Sequence, residues 1–203
     1  RCPQVTFVDL CHSFEESWKN GGYPRCGVAY QEMLDLNITA SEYVKRWMTG
    51  RGADPARIEV SYTNIDTDKW RPDPAARARQ RAALGLSEEH ALIVFHGRLS
   101  PEKRPALMAR IIARLREAVG DSFTCIVIGD GPERPSLEQH IAQLQLGSHV
   151  RLVGRLDDAE LHSYLAAADI LLLPSQVEGI SVSTFESMAM GIVPVSADVG
   201  GQR

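Results

Sequence analysis

The sequence predicts an α/β protein built on a doubly wound, parallel sheet. Three observations carry that prediction. Beyond residue 90, short apolar runs alternate with stretches of helical period, the pattern of successive βαβ units. The run Ile170–Leu173 is apolar at every position, as in a strand covered on both faces. Three strand-like runs are followed by a glycine, at Gly97, Gly129 and Gly154, where such sheets place ligand loops.

Taken in order, Val5–Leu10 reads as a strand, Pro24–Met33 and Ser41–Thr49 as helices, and Ile58–Tyr62 as a strand. The polar stretch from Asp66 to about Ala75 carries Pro72 and Pro74 and reads as a linker. Leu92–Phe95 is the next strand. Residues 105–119 have helical spacing at Leu107, Ile111, Leu115 and Val119, with Gly120 as the cap. Thr124–Ile128 is a strand, and Ser136–Leu146 a helix with Leu137, Ile141 and Leu144 on one stripe, ended by Gly147. Val150–Val153 is a strand. Asp157–Ala167 is a helix opened by the capping pair Asp157 and Glu160. A helix over 182–190 and a strand over 192–196 follow Ile170–Leu173. The domains expected are residues 1–66, a partial N-terminal domain, a hinge over 67–80, and residues 81–203, a truncated C-terminal domain.

The 203 residues carry 22 Lys+Arg against 26 Asp+Glu, a formal charge of −4, with 44% hydrophobic and 24% charged residues. That composition excludes disordered and collagen-like classes. The slightly acidic balance and the lack of a basic stripe argue against nucleic acid as a partner. No apolar run approaches the roughly 18 residues of a membrane span. The cysteines at 2, 11, 26 and 125 form no C-x-x-C pair and read as reduced thiols of a cytoplasmic protein. The start at Arg1 and the end just after a strand-like run suggest a piece of a longer protein.

Candidate chemistry gathers on the loops. Glu178 and Glu186 lie with seven residues between them, across a loop that leaves a strand and enters a helix. Amides near Ser181, Val182 and Ser183 would open that helix as an anion site. The bland alternative is a capping box, Ser183 with Glu186, beside a solvated Glu178. Gly97-Arg98-Leu99-Ser100-Pro101-Glu102-Lys103-Arg104 places cations where a pyrophosphate would sit, Arg98 as a planar fork and Lys103 as a point charge. A charged surface loop is the alternative. Gly129-Asp130-Gly131-Pro132 begins like a dinucleotide fingerprint, but Arg134 holds the third glycine position and the required acid is absent. It reads as a tight turn that lets backbone approach a ligand. Arg155, after Val153-Gly154, follows a strand end that could meet a nucleobase or be a plain strand end. His12 closes the first strand on the side where such sheets bind ligands. Asp66-Thr67-Asp68 resembles a metal motif but sits in the linker. The scattered histidines give no zinc spacing, and no G-x-S-x-G elbow is present.

Together these motifs resemble the retaining GT-B glycosyltransferases of family 4 type. The resemblance rests on Gly97-Arg98…Lys103, Gly129-Asp130-Gly131-Pro132, Val153-Gly154, and Glu178…Glu186 followed by Met188-Ala189-Met190-Gly191, in matching order over 92–203. Residues 1–70 resemble the second half of that family's N-terminal domain through His12, Ile38-Thr39-Ala40-Ser41 and Asn64-Ile65-Asp66. Where that family carries Glu-Gly-Phe-Gly, this chain has Glu178-Gly179-Ile180-Ser181. The resemblance implies a fold of two Rossmann-like domains and transfer of a sugar, with retention and without metal or other cofactor, from a nucleotide diphosphate sugar to an acceptor hydroxyl. It implies that Arg98 and Lys103 bind the diphosphate, Glu178 the donor sugar and Glu186 the ribose. The backbone at Arg155 would meet the base, and His12 would lie near the transferred sugar. Gly97, Gly131, Ser181 and Val182 complete the donor site. The acceptor would be a carbohydrate, a lipid-linked or a small molecule, with peripheral contact to the inner membrane face through an N-terminal part not present. A binding module without catalysis and a nucleotide-sugar 2-epimerase of the same fold are the alternatives.

Overall fold

The structure, a computed structural model, describes residues 5–11 and 23–202. They divide into two compact units. The first gathers 5–11, 23–64, 177–182 and 198–202, and the second 65–176 and 183–197. No helix among the described residues is long and apolar enough to cross a membrane.

The first unit holds a parallel sheet of β1 (Val8–Cys11), β2 (Leu36–Thr39) and β3 (Ile58–Val60), in that order, with helices α1 (Tyr23–Ala29) and α2 (Glu42–Thr49). Ser41 caps α2 by accepting from the Val44 amide. Met48 and Val44 of α2 pack with Cys11 and Ile58. The helix expected over Pro24–Met33 stops at Ala29 and is followed by a 3-10 turn, Gln31–Met33. The buried Gln31 side chain explains the break: it donates to Asn37 Oδ1 (3.0 Å) and accepts from the Asp54 amide (2.6 Å), fixing the turn under β2.

The second unit is a five-stranded, all-parallel sheet in the order β6-β5-β4-β7-β8. Its strands are β4 (Ala91–His96), β5 (Phe123–Ile128), β6 (Val150–Gly154), β7 (Ile170–Leu173) and β8 (Val193–Ser196). The helices are α3 (Pro74–Leu84), α4 (Pro105–Val119), α5 (Arg134–Gln143), α6 (Asp158–Ala167) and α7 (Val182–Ala189, in this unit from Ser183 on). All six residues of β5 are buried, which is why the run reads as apolar without alternation. The capping box on α6 forms as its sequence requires: Asp157 accepts from the Ala159 and Glu160 amides, and Glu160 accepts from the Asp157 amide.

Three expectations differ. The segment 67–80, expected as a hinge, contains most of α3. Asp73 caps that helix through the Ala76 amide (2.8 Å), Pro74 sits where a missing N–H costs nothing, and Gly85 closes it at φ 74°. The prolines therefore start a helix rather than prevent one. Next, α5 ends at Gln143, short of Gly147, because Gln145 takes the left-handed position (φ 54°) that glycine usually fills. The Leu146 and Gln145 amides bond back to Ile141 and Ala142, closing the helix there. Last, the buried stripe of α4 runs through Met108, Ala109, Ile112 and Ala113, one position on from the expected one, and Val119 is exposed.

A buried ionic cluster fastens α3. Arg81, 1% exposed, donates to Asp169 (3.3 Å) and to the Ala167 carbonyl (3.0 Å), and reaches the carbonyls of Ser87 and His90. Asp169 also accepts from Arg77 (2.8 Å) and from the Leu92 amide at the start of β4 (2.7 Å).

Candidate functional site

In the second unit the chain leaves β4 outward through β5 and β6, then returns to the other side of β4 for β7 and β8. The topological switch therefore lies between β4 and β7, where open parallel sheets bind ligands at the carboxyl ends of their strands. A cavity of about 350 Å³ opens to one side of that switch, at the carboxyl ends of β4, β5 and β6, lined by His96 at the end of β4, Gly97 and Arg98 just past it, Gly129 and Asp130 after β5, and Arg155 and Leu156 after β6.

Backbone bonds stitch the three loops together. The Gly97 amide donates to Ile128 O (3.0 Å), Leu99 N to Asp130 O (3.0 Å), and Gly129 N to Gly154 O (2.7 Å). This close approach explains the glycine pair. A Cβ at Gly129 would stand 2.0 Å from the Gly97 carbonyl oxygen, and one at Gly131 would stand 2.2 Å from that of Leu99. At Gly131 the absent side chain admits the backbone of the neighbouring loop. Gly97 is less crowded, since an added Cβ would meet only Phe95, at 4.0 Å.

Two cations face the cavity. Arg98 and Arg155 are both exposed, with the Asp130 carboxylate beside them. Asp130 is partly engaged, accepting from the Gly131 amide (2.7 Å) and lying 3.5 Å from Arg134. Lys103 ends a 3-10 turn on the same loop as Arg98, followed by Arg104 in a left-handed conformation (φ 50°) ahead of Pro105. That backbone is costly before a proline.

Behind the rim, His96 Nδ1 lies 3.5 Å from Glu186 Oε2. Burial, and then the charge of Lys103, push the His96 pKa down to about 4, so the ring is neutral at pH 7. Burial also raises Glu186, assisted by Asp158 and opposed by Lys69.

The other expected donor residues of the glutamate loop belong to the first unit. Glu178 is 7% exposed and Ser181 4%, whereas Val182, the first residue of α7, is open. Gly200 and Gly201 close over this loop. Gly200 has φ 58°, and its Cβ would lie 1.7 Å from the Glu178 carbonyl oxygen. The Gly201 amide donates to Gly179 O (3.1 Å), and its Cβ would lie 2.8 Å from Ser41 Oγ. Only glycine fits either place.

The structure thus gathers Gly97, Arg98 and Arg155 in one cavity, with Glu186 beside His96, and holds Glu178 and Ser181 in the first unit's packing. His12 lies outside the described residues. Asp66 of the DxD motif turns back on its own segment, accepting from the amides of Asp68 (2.9 Å) and Lys69 (3.2 Å). Sequence reading passed over His96, whose signal was a polar residue closing an apolar strand, and the Gly200-Gly201 pair, whose signal was the doubled glycine after a strand.

The model of the family described as glycosyl transferases group 1 matches residues 76–203. A D-inositol 3-phosphate glycosyltransferase of Nocardioides sp. is 34% identical over 83% of this chain and 39% of its own. The GDP-mannose-dependent alpha-(1-6)-phosphatidylinositol monomannoside mannosyltransferase of Mycolicibacterium smegmatis is 30% identical over 82% of this chain and 45% of its own. The chain thus spans less than half the length of these curated relatives. Among solved structures, Anabaena HepE in complex with UDP superposes with a TM-score of 0.84 at 23% identity, over 97% of this chain and 54% of that one. The glycosyltransferase WaaG superposes with 0.74 at 18% identity, over 96% and 57%. These likenesses identify the fold as GT-B.

Proposed function

Because the chain belongs to the glycosyl transferases group 1 family, we propose that it takes a nucleotide diphosphate sugar and transfers the sugar to an acceptor hydroxyl with retention. The observation that carries this reading is the cavity at the carboxyl ends of β4, β5 and β6, with Arg98 and Arg155 at its rim and Glu186 behind it. A guanidinium fork and a carboxylate are the groups that diphosphate oxygens and ribose hydroxyls require. The named donor of the mycolicibacterial relative, GDP-mannose, and the UDP bound by HepE share a nucleoside diphosphate.

In the proposed reaction the bond from the anomeric carbon to the diphosphate oxygen breaks, and its electron pair leaves on the diphosphate. Arg98 and Lys103 neutralise the charge that accumulates there. The acceptor oxygen bonds to the anomeric carbon on the face that the diphosphate vacates, and its proton passes to the departing phosphate oxygen. The cations carry the neutralisation, so the reading needs no metal ion. Glu186 holds the ribose, Glu178 the donor sugar hydroxyls, and the backbone at Arg155 the base. The amides of Ser181 and Val182, at the start of α7, and the loops of Gly97 and Gly131 complete the donor site, and His12 is assigned to the transferred sugar.

A thermal-shift screen of the full-length protein against UDP-, GDP- and ADP-sugars tests the reading. The cognate donor at about 100 times its Kd is expected to add about 2.7 kcal/mol of stability. A screen in which no nucleotide sugar raises the melting temperature contradicts it.

A further inference from the structure

We infer that His96 is a positioning residue that orients the Glu186 carboxylate and thereby sets the affinity for the nucleotide ribose. The inference rests on the donor-site reading above and deepens it.

His96 is the last residue of β4, in register with Ile128 of β5. Ladders on both sides hold β4, so the imidazole leaves the sheet from a fixed point at the cavity floor. Its Nδ1 is sealed from solvent and, among the described residues, has no hydrogen-bond partner. A buried ring nitrogen left in that state is costly, so it calls for an explanation. The facing group is Glu186 Oε2, at 3.5 Å. That is just beyond hydrogen-bond length, and a small rotation of either side chain closes it.

The chemistry favours one arrangement. The depressed pKa leaves a single ring N–H at neutral pH. Placed on Nδ1, that proton makes a neutral donor toward the carboxylate. Such a donor fixes the direction of the carboxylate without cancelling its charge, which stays available to two ribose hydroxyls. An imidazolium would instead compete with the ligand for that charge. Glu186 also feels the charges of Lys69 and Asp158, themselves paired at 2.6 Å. His96 is therefore the uncharged partner in an otherwise charged surround. A purely structural histidine would behave differently: its removal would weaken ligand binding equally with or without Glu186.

The test is calorimetric titration of the full-length protein with UDP, GDP and ADP in five forms: wild type, H96A, H96N, E186Q and H96A/E186Q. For the diphosphate that binds, H96A is expected to weaken affinity about tenfold. H96N, whose amide N–H can stand near the Nδ1 position, recovers it to within about threefold of wild type. In the E186Q background H96A changes affinity by less than about twofold. Equal losses in both backgrounds, or no recovery in H96N, overturn the inference while leaving the donor site intact. If wild type binds none of the three diphosphates, the donor-site reading falls and this inference falls with it. A ligand-free check is the ¹⁵N spectrum of the His96 ring. The Nδ1–H tautomer is expected, and the Nε2–H tautomer overturns the inference without touching the donor site.

Discussion

Alanine at Arg98 is expected to lower sugar transfer by the full-length protein about 10²–10³-fold, or about 3–4 kcal/mol of transition-state stabilisation. Arg98 lies two residues past the end of β4 and lines the cavity. Among the described residues no ion pair engages it, so its guanidinium is available to a ligand. A lysine there restores charge but not the planar fork, so R98K should recover only part of the rate. Lys103→Ala should produce a loss of the same order, because both cations act on one developing charge. Its loss should fall on kcat as well as on kcat/KM, since the charge appears as the glycosidic bond breaks. Steady-state transfer rates with a cognate donor measure this, and near-wild-type rates in both alanine variants would remove the roles assigned to them.

The second large effect is on stability. Asp169→Ala is expected to cost about 3 kcal/mol in urea unfolding of the second unit, the lower end of the range for breaking a buried ion pair. The lower end applies because the Asp169 side chain is one-third exposed while Arg81 is almost fully buried. The substitution strands the Arg81 guanidinium and frees the Leu92 amide at the start of β4. It therefore loosens α3 and the central strand together. Arg77→Ala removes the more exposed partner of the same carboxylate and should cost under about 1 kcal/mol. Equal costs for the two variants would contradict the cluster's assigned role.

That cluster also marks where sequence reading failed. The Asp73-Pro74 start and the Gly85 stop of α3 were present in the sequence, but two prolines in a polar stretch suggested a linker. Nothing local says that Arg81 will meet Asp169, 88 residues away. Gln145 hid the end of α5 because its left-handed backbone is imposed by the Leu146 anchor, fully buried, and not by its own side chain. By contrast, β7 and α4 begin and end where the sequence places them. An all-apolar strand and a helix flanked by Pro105 and Gly120 are specified locally. The same division holds at the site. Arg98 and Arg155 were legible because they follow strand ends, and the fold brings strand ends of a parallel sheet to one edge. His96 was not, since its meaning depends on a carboxylate 90 residues further on. The membership of 177–182 and 198–202 in the first unit was equally hidden, because it is made by long-range packing of Gly200 and Gly201 against the glutamate loop.

The most direct measurement is amide NMR mapping of the full-length protein as it is titrated with its nucleotide diphosphate sugar. The account predicts the largest shifts at Gly97–Leu99, Gly129–Asp130 and Arg155–Leu156, and their loss in the R98A variant. Shifts confined to other surfaces, or unchanged in that variant, would contradict it.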